Sequence, residues 1–193
     1  MELPRLTDRP ALSHLRLATG ELHRRLEDRF DAVMALGDPD RRPQIVARYQ
    51  RLYSGAFQTL MPWLSSIAGL EMERRAALRW PEGFIGQEAE SPFPKPANTH
   101  EALGLLYVIE GSTLGGRLIL KALARKGIID RSLSFLDPYG NDSARMWRAV
   151  LTVIEHEGQT GPAELESICR GGVRGFTHAE NTLCGDAHEL PVA

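Results

Sequence analysis

The amino-acid sequence predicts an all-α fold, a single-domain helical bundle over residues 1–193. Apolar residues recur at three- and four-residue intervals through most of the chain, the period of an amphipathic helix. No stretch of useful length alternates apolar and polar residues as a strand would. Cap and breaker residues cut the periodic stretches into helix-sized lengths. With 42% hydrophobic and 25% charged residues among 193, the chain has the balance of one ordinary globular domain able to enclose a full core.

Each helix has its own signals. Leu12, Leu15, Ala18, Leu22, Leu26, Phe30 and Val33 form one apolar stripe and predict a single helix ending near Gly37-Asp38-Pro39. A second helix is predicted from about Pro43 to Met61, with Pro62 bending or interrupting it because proline has no N–H to donate. Residues 70–80 predict a shorter helix carrying Met72, Ala76 and Leu78. Pro81, Pro92, Pro94 and Pro96 then mark a loop. Asn98 with Glu101 three residues later reads as a capping box opening the next helix, and Gly127 after Arg125-Lys126 reads as its stop. Asp142 or Ser143 is positioned to cap a helix running to Glu157 and stopped by Gly158. A last helix is predicted from Pro162 to Leu183.

Charge and cysteine usage narrow the function classes. A net charge of −2 supplies no electrostatic reason to expect nucleic acid as a partner. No apolar stretch is read as approaching the roughly 18 residues of a membrane span, so no membrane partner is expected. Met1-Glu2-Leu3-Pro4-Arg5 lacks the apolar run of a secretory signal. Cys169 and Cys184 fall in one predicted helix, about 22 Å apart at the helical rise and out of disulfide reach. These features predict a cytoplasmic protein.

Two local patterns carry chemistry. The run Leu105-Leu106-Tyr107-Val108-Ile109-Glu110-Gly111-Ser112-Thr113-Leu114-Gly115-Gly116 begins as a buried helix and then places three glycines within six residues. Each glycine in a helix interior costs about 1 kcal/mol relative to alanine. Such a run serves either close packing of two helices or the approach of a ligand to bare backbone. On the first helix, Arg16, His23 and Glu27 share one face. His23 at the edge of the apolar stripe, with Glu27 one turn on to accept its outer ring N–H, suits a metal-ligating imidazole. The same spacing also describes a surface histidine paired with a surface glutamate.

The segment Leu15-Arg16-Leu17-Ala18-Thr19-Gly20-Glu21-Leu22-His23-Arg24-Arg25-Leu26-Glu27 closely resembles the proximal helix of haem oxygenases. Gly104 to Gly116 resembles the distal helix of the same family. The form Leu-Tyr-Val-Ile-Glu-Gly-Ser-Thr-Leu-Gly-Gly is most similar to the bacterial biliverdin-producing branch associated with bacteriophytochromes, as are Tyr139-Gly140 and Arg145-Met146-Trp147-Arg148. The resemblance implies a haem-oxygenase-like bundle that takes haem as cofactor and substrate. The family uses O2 and an external electron donor, such as a reductase or a ferredoxin-like protein, to yield biliverdin, carbon monoxide and iron. A bilin-binding photoreceptor is an implied recipient of the product.

Carried over residue by residue, His23 is the proximal iron ligand and Glu27 its supporting partner. Arg16 and either Arg145 or Arg148 serve the propionates, where a guanidinium suits bidentate binding of a carboxylate. Gly111, Ser112, Gly115 and Gly116 form the distal wall, and Phe176 lies against the macrocycle. Animal members carry an aspartate directly after the first distal glycine, whereas this chain has Ser112, a hydroxyl without charge that would act there with a distal water.

Three other readings stand beside this one. A non-catalytic haem carrier or sensor would keep the same fold. A relative acting on thiamin-like substrates would need an activated cysteine, and nothing beside Cys169 or Cys184 supplies activation. A di-iron bundle would need Glu-x-x-His motifs, which this sequence lacks. His14, His100, His156, His178 and His188 lack metal-site spacing, and surface positions are expected for them. Glu110, directly before Gly111, is positioned either to touch the pocket or to face solvent, and the solvent-facing position is the expected one.

Overall fold

The computed structural model describes residues 9–78, 80 and 92–185. Among these residues the chain is helical without strands, as its periodicity predicts. Pro81, His188 and the N-terminal pentapeptide lie outside the described residues.

The first apolar stripe makes two helices instead of one. Helix α1 spans Pro10–Arg29 and α2 spans Ala32–Gly37. Phe30 turns to an extended backbone, and the Asp31 side chain then accepts the Met34 N–H at 2.9 Å to cap α2. The break lets the Phe30 ring meet Tyr49, with centroids 6.1 Å apart. Ala18 of the predicted stripe is exposed, and its neighbour Thr19 is buried, donating its hydroxyl to the Leu15 carbonyl at 2.8 Å.

Helix α3 spans Arg42–Leu64 and runs through Pro62, correcting the expected interruption. Only the final turn lies beyond that proline, and the Ser65 N–H and hydroxyl both donate to the Met61 carbonyl, at 3.1 and 2.7 Å. Helix α4 is shorter than predicted, Met72–Ala76.

Helix α5, Thr99–Arg125, opens on the predicted cap. The Asn98 side chain accepts the Glu101 N–H at 2.8 Å, while the Glu101 carboxylate accepts the Ala97 N–H at 2.6 Å, one residue earlier than a standard capping box. Gly127, at φ +78°, closes the helix in the left-handed region, with its N–H donated to Ala124. Two 3₁₀ turns, Arg131–Leu136 and Gly140–Asp142, lead to α6, Ser143–Gly158. Asp142 and Ser143 do not cap α6 through their side chains: Asp142 accepts from Arg74 at 2.6 Å, and Ser143 donates to Asp137 at 2.8 Å. Helix α7 spans Pro162–Cys184.

Helix α5 is the axis of the bundle, packed against α3, α6 and α7. It is long and apolar enough to cross a membrane by length and composition, contrary to the expectation that no stretch comes close. In this fold half of that stretch is buried inside the bundle. Its contact with α7 is made by backbone. A Cβ on Gly104 would stand 2.7 Å from the Gly172 nitrogen and 2.9 Å from the Gly171 Cα, and one on Gly175 would stand 2.8 Å from a Val108 methyl. Helix α1 also packs on α7, with Leu15 and Thr19 seated at Gly172.

Each end of α1 is tied down separately. The Glu155 carboxylate of α6 accepts the free N–H groups of Ala11 and Leu12, at 3.4 and 3.0 Å. At the other end Arg25 and Arg29 both reach the buried Glu180 of α7, Arg25 through Nε at 2.9 Å and Arg29 at 2.6 Å.

The seam and the clamp each make a prediction. Gly104→Ala should destabilise the protein by about 1–3 kcal/mol in urea unfolding, because overpacking at the seam outweighs the helix propensity gained. Arg25 and Arg29 hold the Glu180 carboxyl below its ordinary value of 4.5. Its stabilising contribution is therefore complete above that ordinary value and is lost as pH falls through the lowered folded one. Amide exchange across the C-terminal half of α1 should accelerate over that acid range, and Glu180→Gln should remove the pH dependence.

Candidate functional site

Helices α1 and α5 both lie on α7 and make almost no direct contact with each other among the described residues. The face of α7 between them, from Gly172 to Phe176, is the candidate groove. His23 stands on the α1 side with 55% of its side chain exposed, its ring meeting the Phe176 edge at a centroid distance of 5.3 Å. Glu27 lies one turn on, with its carboxylate 3.6 Å from His23 Nε2, an ion-pair distance too long for a hydrogen bond. Among the described residues, nothing lies within 4 Å of where a Cβ on Gly20 would stand, one turn before His23. Arg16 is exposed on the same face and is in no ion pair among the described residues.

The α5 glycines divide by role. A Cβ at Gly116 would collide with the Leu136 backbone, so this glycine serves packing against the first 3₁₀ turn, away from the expected distal wall. Among the described residues Gly115 has nothing within 4 Å of that position, and Gly111 has the Trp147 ring, 3.6 Å away at ordinary contact distance. Packing explains neither of the latter two. They follow Val108, which meets Gly175, the residue before Phe176, so the glycine wall and His23 flank one step of α7.

Between Gly111 and Gly115, Ser112 is half-buried and bonded twice. Its hydroxyl donates to the Ile109 carbonyl at 2.6 Å, and the Tyr53 hydroxyl lies 2.5 Å from its Oγ. Tyr53 belongs to an α3 aromatic row that includes Tyr49 and Phe57 and reaches Phe30, the residue that ends α1. Burial holds the Tyr53 phenol above its ordinary pKa, so it remains a proton donor at neutral pH.

Behind the wall sits a buried polar cluster that sequence reasoning missed. Glu110, expected at the surface, is fully buried and ion-paired with the equally buried Arg75 of α4. Tyr139 donates to the other Glu110 oxygen at 2.8 Å. Arg75 also donates to the carbonyls of Leu70 and Met146, the latter at 2.8 Å. Burial raises the Glu110 carboxyl pKa, and the Arg75 guanidinium pulls against that rise. A carboxylate inside an apolar helical run was the one sequence signal available. Arg75, in the charged run Glu71-Met72-Glu73-Arg74-Arg75, offered none.

The other candidates separate clearly. Arg145 pairs with Glu71 and Asp142, whereas Arg148 is exposed and in no ion pair among the described residues. His178, expected at the surface, is buried against Phe93 with its pKa lowered by desolvation. His100 is half-buried against Glu157 at 3.2 Å. Both cysteines are free, and burial pushes their thiols upward, the reverse of activation. A pocket of about 270 Å³ lies between α3 and α4, lined by Phe57, Met61, Leu78 and Trp80 among others. Tyr53 lines it as well, so the pocket adjoins the Tyr53–Ser112 contact, although no residue of α1 or α5 is among its described lining.

No family model matches the sequence, and no solved structure matches the fold. A heme oxygenase of Xanthomonas campestris pv. campestris (strain 8004) is 34% identical to it over 164 residues, covering 80% of this chain and 98% of that protein. A likeness of that degree, running through nearly the whole of the relative, means that this all-α chain belongs to the haem oxygenase family.

Proposed function

We propose that this chain is a biliverdin-producing haem oxygenase, with His23 as the proximal iron ligand and the Gly111–Gly115 segment of α5 as the distal wall. The observation that carries the reading is an exposed imidazole on α1 flanking the same groove as two α5 glycines that packing leaves unexplained. Those glycines forgo about 1 kcal/mol each of helix propensity, and close approach of a flat ligand to the backbone is the return.

The residues present fit haem. An imidazole with open space beside it at Gly20, and bare backbone at Gly115, suit a flat ligand that would lie between the two helices. The bound haem supplies the iron that activates O2 and the ring that is opened. The chain supplies the rest. His23 holds the iron, and Glu27 closes the remaining 3.6 Å to orient the imidazole. Arg16 and Arg148, free of protein partners among the described residues, receive the propionates. Phe176 buttresses the His23 ring, and Ser112 with a distal water orders hydrogen bonds on the opposite side.

Electrons come from outside the chain, and we assign their delivery to a reductase or ferredoxin-like donor and the reaction to the cytoplasm. The likeness of the Leu106–Gly116 run to the bacteriophytochrome-associated branch supports transfer of biliverdin to a bilin-binding photoreceptor. A haem carrier or sensor is the second reading, favoured by Ser112, which lacks the charge of an aspartate.

With haemin, a reductant, air and catalase, the Soret band should bleach as a bilin band rises and carbon monoxide is released. A stable ferrous-oxy spectrum without bilin would establish the carrier instead. His23→Ala should abolish the histidine-ligated ferric spectrum and turnover, and added imidazole should restore the spectrum; an unchanged spectrum would remove the ligand assignment. Gly115→Leu should weaken haem binding at least tenfold while leaving haem-free stability equal or higher by under about 1 kcal/mol, since the site is open and leucine is the better helix former. A loss of haem-free stability would show that Gly115 serves packing.

A further inference from the structure

The Tyr53–Ser112 contact has a direction that the neighbouring atoms impose. Ser112 Oγ lies 2.6 Å from the Ile109 carbonyl oxygen, which has no hydrogen, so the serine proton is committed there. Tyr53 Oη lies 2.5 Å from the same Oγ, and with the serine proton already used, the phenol must be the donor. Burial keeps that phenol protonated. Both hydroxyl protons are therefore used within the protein. Ser112, half-buried and lying between Gly111 and Gly115 on α5, keeps one Oγ lone pair uncommitted and has no proton left to give.

We propose that Tyr53 is a positioning residue that makes Ser112 a pure hydrogen-bond acceptor, so that this neutral pair orients distal water with the polarity a carboxylate would impose. The proposal rests on the functional reading above. A water donating one hydrogen to Ser112 Oγ has its other hydrogen free to point into the groove. Protons then pass from oriented water and not from the serine. Without Tyr53, Ser112 loses one of the two contacts that lock its rotamer, and its hydroxyl is free to leave Ile109 and donate into the groove. Charged or titratable groups around the pair are Glu110, Arg75 and Tyr139 behind it and Tyr49 on α3. The substitutions below leave all of these in place.

The test has two arms. In haem-free protein, thermal unfolding of Tyr53→Phe, Ser112→Ala and the double variant forms a mutant cycle. Non-additive losses are expected, and additive ones would overturn the hydrogen bond itself. In haemin-loaded protein, the pH at which the ferric spectrum changes from its acid to its alkaline form reads whether the distal groups accept or donate. An acceptor stabilises the form with water on the iron and raises that pH. Ser112→Asp should raise it. Ser112→Asn, whose amide presents N–H groups, should lower it by on the order of one pH unit, with Tyr53→Phe shifted in the same direction as Asn. Ser112→Asp should retain biliverdin formation, and Ser112→Asn should lose most of it. Equal shifts for Asp and Asn, or a Tyr53→Phe value matching the unsubstituted protein, would overturn the proposal. An unsubstituted protein that takes up no haemin would overturn the functional reading, and the proposal with it, whatever the mutant cycle shows.

Discussion

Everything at the site depends on how closely two backbones approach. Gly104 of α5 and Gly171, Gly172 and Gly175 of α7 bring the helices to a separation at which side chains have no room. Close packing of this kind gains dispersion contacts along the whole seam and fixes the relative height of the two helices, because sliding would drive a Cβ into a carbonyl. Gly172 also receives Leu15 and Thr19 of α1. One helix thus sets the position of both walls of the groove. The Phe176 ring against His23 and the Gly175 backbone against Val108 are consecutive residues on it.

Gly111 and Gly115 weaken α5, and the buried Arg75–Glu110 pair lies beside the weak point. Burying two charges is expensive unless every group finds a partner. Here the Glu110 carboxylate faces Arg75 and Tyr139, and the guanidinium reaches Leu70 and Met146 besides, lying 5.9 Å over the Tyr139 ring. The cluster ties α4, α5, α6 and the loop before α6 together at the residue preceding Gly111. A hydrophobic substitute would fill the same space without fixing the register of the helix there.

Helix α1 is held differently. Its ends are tied by Glu155, which accepts two backbone N–H groups, and by the buried Glu180, whose partners Arg25 and Arg29 remain half in water. Its middle, carrying His23, meets the bundle through Leu15, Thr19 and the Phe176 edge. The α5 side is anchored by backbone and buried charge, and the α1 side by fewer contacts. That asymmetry fits the proposed function, in which the space between them would admit a flat ring and release an open product.

The sequence by itself determined the helical class, most helix boundaries, the Asn98 cap and the Gly127 stop, because periodicity and caps act within a few residues. His23, Glu27 and the α5 glycine run were legible for the same local reason. Which glycines pack and which face open space was decided only by the tertiary structure: Gly115 and Gly116 are adjacent in sequence but point to different neighbours. Likewise the break at Phe30 serves a distant ring, Tyr49, and Pro62 is tolerated because little helix follows it. Glu110 lies 35 residues from Arg75 and 29 from Tyr139, and Tyr53 lies 59 from Ser112. Partnerships at such separations leave no periodic trace, since the hydrogen bond that justifies burying a polar group exists only once the helices have packed.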